Sequence, residues 1–229
     1  MAGRFVTTAL WPAGVGLTAW HYLWRTTPLH RREAVGTAAQ DCPPPLPPDV
    51  SSHGFQQVDD GVGPLFHRRY TARIRDAPVR AEALMERVAS DPNAVAPTEF
   101  ARFTKRNGVE GHLAVGDEFI VRMPGPWNGP VRVVAVTPTS FRLATLEGHL
   151  EAGQIEFRAA DATGDVVFTI ESWARSGDRL SNVLYKTVPL AKEVQLHMWS
   201  SFLENVAKLA GGRLRGGLDI DTRRVDYPT

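Results

Sequence analysis

The sequence predicts an α+β domain in which a curved antiparallel sheet of about six to seven strands wraps around a long C-terminal helix, with two short helices after the first strand. Three observations predict it. Between residues 117 and 175 the hydropathy alternates with period two through five segments, each bounded by turn compositions. The connections are too short for the crossovers that parallel strands need, so neighbouring strands should pair antiparallel. From Pro189 to about Ala210 the period becomes helical, and Val194, Met198, Phe202, Val206 and Leu209 make one apolar stripe that has to be buried.

The elements follow in order. In "LFHRRYTARI", Phe66, Tyr70, Ala72 and Ile74 share one face of a strand, with Arg69, Thr71 and Arg73 on the other. Asp76 is placed to cap a helix that has Pro78 in its first turn and runs through "VRAEALMERVAS" until Asp91-Pro92 stops it. A second short helix is expected from Pro97, carrying Phe100 and Phe103 on one side and ending at Gly108. The five strands are "DEFIVRM", "VRVVAV", "SFRLATL", "QIEFRAA" and "DVVFTIESWAR". Their separators are "PGPWNG", "TPT", "EGHLEAG" and "DATG". The striped helix follows "SGDRLSN", with Glu204 and Lys208 as a polar-face pair.

Outside this block the chain has a different character. Residues 5–24 hold no charged side chain except His21 and end in Trp20, Tyr22 and Trp24. Twenty helical residues reach about 30 Å, the thickness of a bilayer core, and aromatics favour its boundary. A membrane anchor over residues 1–30 is the expectation, ahead of a soluble helix or a cleaved signal peptide. Arg25, Arg31 and Arg32 against Arg4 place the following domain on the cytoplasmic side. Residues 31–62 read as a proline-rich linker, because "CPPPLPP" has no amide hydrogens for helix or sheet and favours an extended spacer. The domain proper spans residues 63–211, and residues 212–229, with three glycines near their start, read as a loose tail.

Composition narrows the function classes. The 229 residues are 43% hydrophobic and 22% charged, as expected of a packed globular core. Net charge is +1 with no basic stripe, which excludes a nucleic-acid binder. One cysteine, Cys42, excludes a disulfide framework and a multi-cysteine zinc site, and no cofactor fingerprint is present. The chemistry-bearing candidates are few. Glu147, His149 and Glu151 in "TLEGHLEAG" have the residue types of an acid/base group, yet Gly148 and Gly153 mark the stretch as a bend at the sheet rim. One histidine with two glutamates is a weak metal set, and no metal site is assigned. Among His67, Arg68 and Arg69 at most one arginine can face a cavity, and the pair is assigned to a solvated outer face. His197 is read as a helix-surface partner of Glu193. Tyr70, Trp127, Trp173, Met198 and Phe202 are the candidate ligand-lining residues.

This order of elements resembles the helix-grip fold of the START-like superfamily, which includes birch-pollen allergens, polyketide cyclases and lipid-transfer domains. Within it, "GPLFHRRY", "PWNGPVRV", "TLEGHLEAG" and "FTIESWARSGD" are similar to the uncharacterised family catalogued as domain of unknown function 1990, over about residues 63–210. The resemblance implies a fold and no established reaction. Three functions stay open: a membrane-tethered binder of an apolar or amphipathic molecule such as a lipid, a cyclase- or hydrolase-type enzyme using Glu147, His149 and Glu151 at the pocket mouth, and a partner-binding domain without ligand. The oligomeric state stays open too.

Overall fold

The protein is described by a computed structural model covering residues 27–51, 53–99, 101–123, 128–177 and 189–227. β1 is Leu29–Val35, followed by a single helical turn, α1, at Ala38–Asp41. β2 (Val62–Arg75) leads to α2 (Ala81–Ser90), and β3 (Arg102–Asn107) to β4 (Glu118–Arg122). β5 (Asn128–Thr137), β6 (Ser140–Thr145), β7 (Glu151–Ala162) and β8 (Asp165–Ser176) continue the sheet. α3 (Pro189–Leu209) and β9 (Arg213–Val225) complete the order.

These strands form one sheet of nine in the order β1-β9-β2-β8-β7-β6-β5-β4-β3. Pairing is antiparallel except between β1 and β9. Side chains from β9 across to β3 share a single apolar cluster with α2 and α3. Eight strands laid flat would span about 34 Å at ~4.8 Å spacing, far wider than a helix ~10 Å thick. Only a curved sheet brings them all onto the same two helices. The expected α+β, helix-grip architecture is therefore present, with nine strands where six to seven were expected.

Period two in β2 sends Tyr70, Ala72 and Ile74 to the concave face, where all three are buried against α3. The helix stripe answers from the other side: Met198, Phe202 and Val206 are buried, with Trp199, Leu203 and Ala210 beside them. The Phe202 ring lies 5.4 Å from Phe157, 6.3 Å from Phe168 and 5.9 Å from Trp199. Burying each such side chain contributes about 1.5–3 kcal/mol.

Several expectations are corrected by tertiary contacts. Residues 102–107 are a strand, not the end of a second helix: Phe103 pairs with Val121 in β4, and the Asn93 side chain bonds both the amide and the carbonyl of Phe103 at 2.8 Å. Between α2 and β3 the only helical turn among the described residues is a short 3-10 stretch at Pro92–Ala94. Asp76 does not cap α2. It sits at φ 58 and pairs with Arg213 at 2.8 Å, while the Ala81 amide of α2 donates to Asp161 at the far end of β7. The cap is thus supplied across the sheet, which local sequence cannot show.

The expected loose tail is β9, inserted between β1 and β2. Its glycines hid it. Gly217, at φ 97, faces the Pro28 carbonyl so closely that a Cβ would collide with it, and the next amide, of Leu218, donates to that carbonyl at 2.9 Å. The glycine admits β1 to the sheet edge. Nor is residues 31–62 a free spacer. Prolines lack amides but keep their carbonyls: Pro44 accepts from Gln154 at 3.1 Å and Pro45 from Arg142 at 3.3 Å, both on the convex face. Leu46 and Val50 pack there on Phe55, Val134 and Ala144. The proline-rich segment is a strap over the back of the sheet.

The membrane expectation is overturned. Among the described residues no helix is long and apolar enough to cross a membrane. Residues 5–24, which carried the anchor, the membrane partner and the cytoplasmic side, lie outside the described residues. The longest helix among the described residues, α3, is amphipathic, and its apolar stripe is spent on the sheet.

Candidate functional site

The two faces of the sheet divide the candidate residues. On the convex face, under the strap, His67 of β2 donates through Nδ1 to Asp41 at 2.8 Å and through Nε2 to Glu171 at 2.7 Å. Arg69 reaches the same Glu171 oxygen at 2.5 Å, and the Trp173 ring stacks on His67 at 5.2 Å. Carboxylates only accept, so both ring nitrogens carry protons and the imidazole is charged. Burial works against that charge, but the hydrogen bonds and charges of Glu171 and Asp41 outweigh it and raise the His67 pKa. Burial likewise opposes the ionised Glu171, and His67 and Arg69 overcome it, holding its carboxyl at about 2. Trp173, expected as a ligand-lining residue, belongs to this convex cluster with Val58, Leu65 and Val225, across the sheet from α3.

The stretch "EGHLEAG" joins β6 to β7 as a bend, and the strap stitches it in place. Gln56 donates to the carbonyls of His149 at 2.9 Å and Glu151 at 3.2 Å, and accepts from the Gly148 amide at 3.2 Å. The Thr145 hydroxyl donates to the Gln56 carbonyl at 2.7 Å. His149 Nδ1 accepts from the Glu151 amide at 2.9 Å, and its Nε2 lies where a Cβ on Gly129 would approach to 2.8 Å. Burial lowers its pKa, outweighing the Glu151 carboxylate and carbonyl, so the ring is neutral with its one lone pair already engaged. Glu147 points to solvent. Glu151 lies half-buried at the start of β7, where Gln195 of α3 donates to it at 3.4 Å.

On the concave face the structure brings Tyr70, Met198 and Phe202 into one cluster, as expected of lining residues, though Phe202 is packed as core. Trp127 lies outside the described residues. Beyond Tyr70, towards the start of β2, this face turns polar. Arg68, assigned from sequence to a solvated surface, is 6% exposed on the concave face. Ser172 of β8, its cross-strand partner, is 5% exposed. Among the described residues the Ser172 hydroxyl and the Trp199 indole nitrogen of α3 have no hydrogen-bond partner. His197, expected at the helix surface, is buried as well. Burial pushes the Tyr70 hydroxyl up to about 12, with Arg68 and Arg31 pulling it down and Glu151 pushing with burial. The signal missed in the sequence was parity. Arg68 is two residues from Tyr70 and must share its face. Among the described residues no group of three His, Cys, Asp or Glu side chains is placed to hold a metal ion.

Comparison with known proteins finds no curated protein that matches in sequence. Among solved structures, the major latex-like protein 151 of Panax ginseng is similar at 12% identity and TM-score 0.45, covering 63% of this chain and 97% of its own. Norcoclaurine synthase of Thalictrum flavum, in complex with dopamine and hydroxybenzaldehyde, gives 10% and 0.46, covering 70% and 93%. A hypothetical protein of Helicobacter pylori gives 8% and 0.47, covering 62% and 86%. Residues 67–204, more than half of the chain, match the family model described as Domain of unknown function (DUF1990), and they include His67, Arg69, Glu171 and Trp173, though not Asp41, and the polar end of the concave face. The chain belongs to the DUF1990 family.

Proposed function

We propose that the domain binds an apolar or amphipathic small molecule between the concave sheet face and the N-terminal half of α3. The observation that carries this reading is the pair of buried polar groups with no partner on the surfaces that face each other there, the Ser172 hydroxyl and the Trp199 indole N–H. A buried polar group without a hydrogen bond costs about 1–3 kcal/mol, and native proteins keep few of them. A ligand lying along Tyr70, Ser172 and Trp199 satisfies both groups and buries its own apolar surface at about 25 cal/mol per Å2. The acid/base alternative draws less support, because the His149 lone pair is held by the Glu151 amide and Glu147 faces solvent.

The test uses the full-length chain and N-phenyl-1-naphthylamine, an uncharged fluorophore that brightens in apolar sites. Native mass spectrometry and organic extraction of the same preparation identify any resident molecule. Saturable uptake at one site per chain is expected, with loss on Ala174→Trp, which fills the same face two residues beyond Ser172 on β8. A chain that binds no probe and yields no extracted molecule would sink the reading.

A further inference from the structure

Arg68 is the one arginine on the concave face of β2, and its surroundings are not those of a structural arginine. The register from Phe66 to Arg75 against β8 is unbroken, so Arg68 shares the face of Tyr70, Ala72 and Ile74. The residue is 6% exposed, yet among the described residues its guanidinium has no hydrogen bond and no ion pair. Its one contact of note is the Phe66 ring, 4.6 Å below the guanidinium carbon. That contact tilts the cation towards the start of β2 and away from the apolar core.

Every other heavily buried charged group among the described residues has a counterpart. Lys105 meets Asp117 at 2.8 Å, His67 meets Asp41 and Glu171, and Arg175 donates to the carbonyls of Gly63 and Val58 at 2.9 and 2.8 Å. Taking a cation out of water costs several kcal/mol unless a counter-charge or good acceptors replace the water. Arg68 meets only a ring face, and its nitrogens keep a narrow access to solvent through which an anion can reach them. Ser172 stands directly opposite on β8, with β-carbons about 5 Å apart in such pairs, and its hydroxyl is unpartnered. A second guanidinium, Arg31 on β1, acts on the same Tyr70 hydroxyl, against the single carboxylate of Glu151.

We infer that Arg68 and Ser172 form an oxyanion subsite, and that the molecule bound between sheet and α3 is an amphiphile with an apolar body and a carboxylate or phosphate head. The planar guanidinium offers a fork of N–H donors matched to either group, and the serine hydroxyl supplies one more donor at its side. The apolar body then runs past Tyr70 towards Trp199 and Met198. This rests on the binding reading above and adds the head group to it.

The experiment titrates the full-length chain with four probes: dodecanoate, monododecyl phosphate, dodecanol and the uncharged N-phenyl-1-naphthylamine. Wild type should prefer the better anion over dodecanol by about tenfold to a hundredfold, the worth of a hydrogen bond to a charged group. Arg68→Met should bring the ratio to about one and leave the uncharged probe bound as before. Ser172→Ala should lower anion affinity by less, and serves as the readout if Arg68→Met does not fold. The carboxylate and phosphate arms separate a fatty-acid-like head from a phosphate head. Binding of the uncharged probe with no preference for either anion overturns the inference and leaves the binding reading standing. An equal loss of anions and uncharged probe in Arg68→Met, or in Ser172→Ala where that variant stands in, also overturns it. Failure of every probe on wild type removes both.

Discussion

His67 shows how one residue can tie a strap to a sheet. Its imidazolium joins Asp41, at the end of α1, to Glu171 in the middle of β8, and Arg69 and Arg158 face Glu171 from β2 and β7. Asp41 is held below its ordinary carboxylate value: burial would raise it, and His67 and the Thr37 amide overcome burial. The sign of the pH dependence follows from these directions. A raised histidine stabilises fully below its unfolded value of about 6.5 and loses that contribution as pH rises through the folded value. Glu171, held at about 2, stabilises above its ordinary 4.5 and loses its contribution as pH falls towards 2. Thermal melts of the full chain should therefore show the highest Tm between about pH 5 and 6.5, declining on the alkaline side. Asp41→Asn keeps an acceptor for Nδ1 and removes one counter-charge, so its alkaline decline should be smaller and end at lower pH. An Asp41→Asn profile that follows wild type throughout would show that the cluster is not the source.

At the level of elements, the strap and the bend at 146–153 are one unit. Gln56 bonds to both ends of the bend through its side chain, and its backbone amide donates to the Thr145 carbonyl at 2.9 Å. Phe55 bridges to Leu146 alongside. Gly153 meets the Trp173 carbonyl of β8 so closely that any Cβ would collide with it, which explains a glycine within a paired strand. Gln56→Ala removes three side-chain hydrogen bonds in one step and should cost about 1–3 kcal/mol. Hydrogen exchange should quicken first at the Gly148 amide, while amides in the middle of β8 keep their protection. Unchanged exchange at Gly148 would show that the bend holds its shape without the strap.

For the whole molecule the decisive feature is the place of β9. Strands β3 to β8 form an antiparallel meander whose β8 end pairs with β2, but the last strand returns to lie between β1 and β2, and β1 is attached to the sheet through it alone. α3 and β9 also meet in the core through Leu218 and Ile220. Ending the chain after Gly212 exposes the whole edge of β2 and removes the partner of β1. That truncation should abolish the cooperative thermal transition or render the chain insoluble. A loose tail would be dispensable, so a truncated chain that melts at the wild-type temperature would contradict the sheet order.

Much of the fold was legible because its determinants are local. Period two marked β2 and β4 to β8, and period 3.6 marked α3 with the stripe it buries. Glycines at 148 and 153 marked a bend where one is found. What only the tertiary structure decided is which side of the sheet each residue serves. Alternation separates two faces but does not say which one meets the helix, and here both are covered, so nearly every position of β8 is buried. Trp173 and Phe168 look alike in sequence and lie on opposite sides, one under the strap and one under α3. The strap, β9 and the cap on α2 depend on partners more than 75 residues away, which no local pattern encodes. The candidate site followed the same rule. Tyr70 and Met198 could be read from periodicity, whereas the isolation of Arg68 emerged only once the sheet had closed over it and supplied no counter-charge.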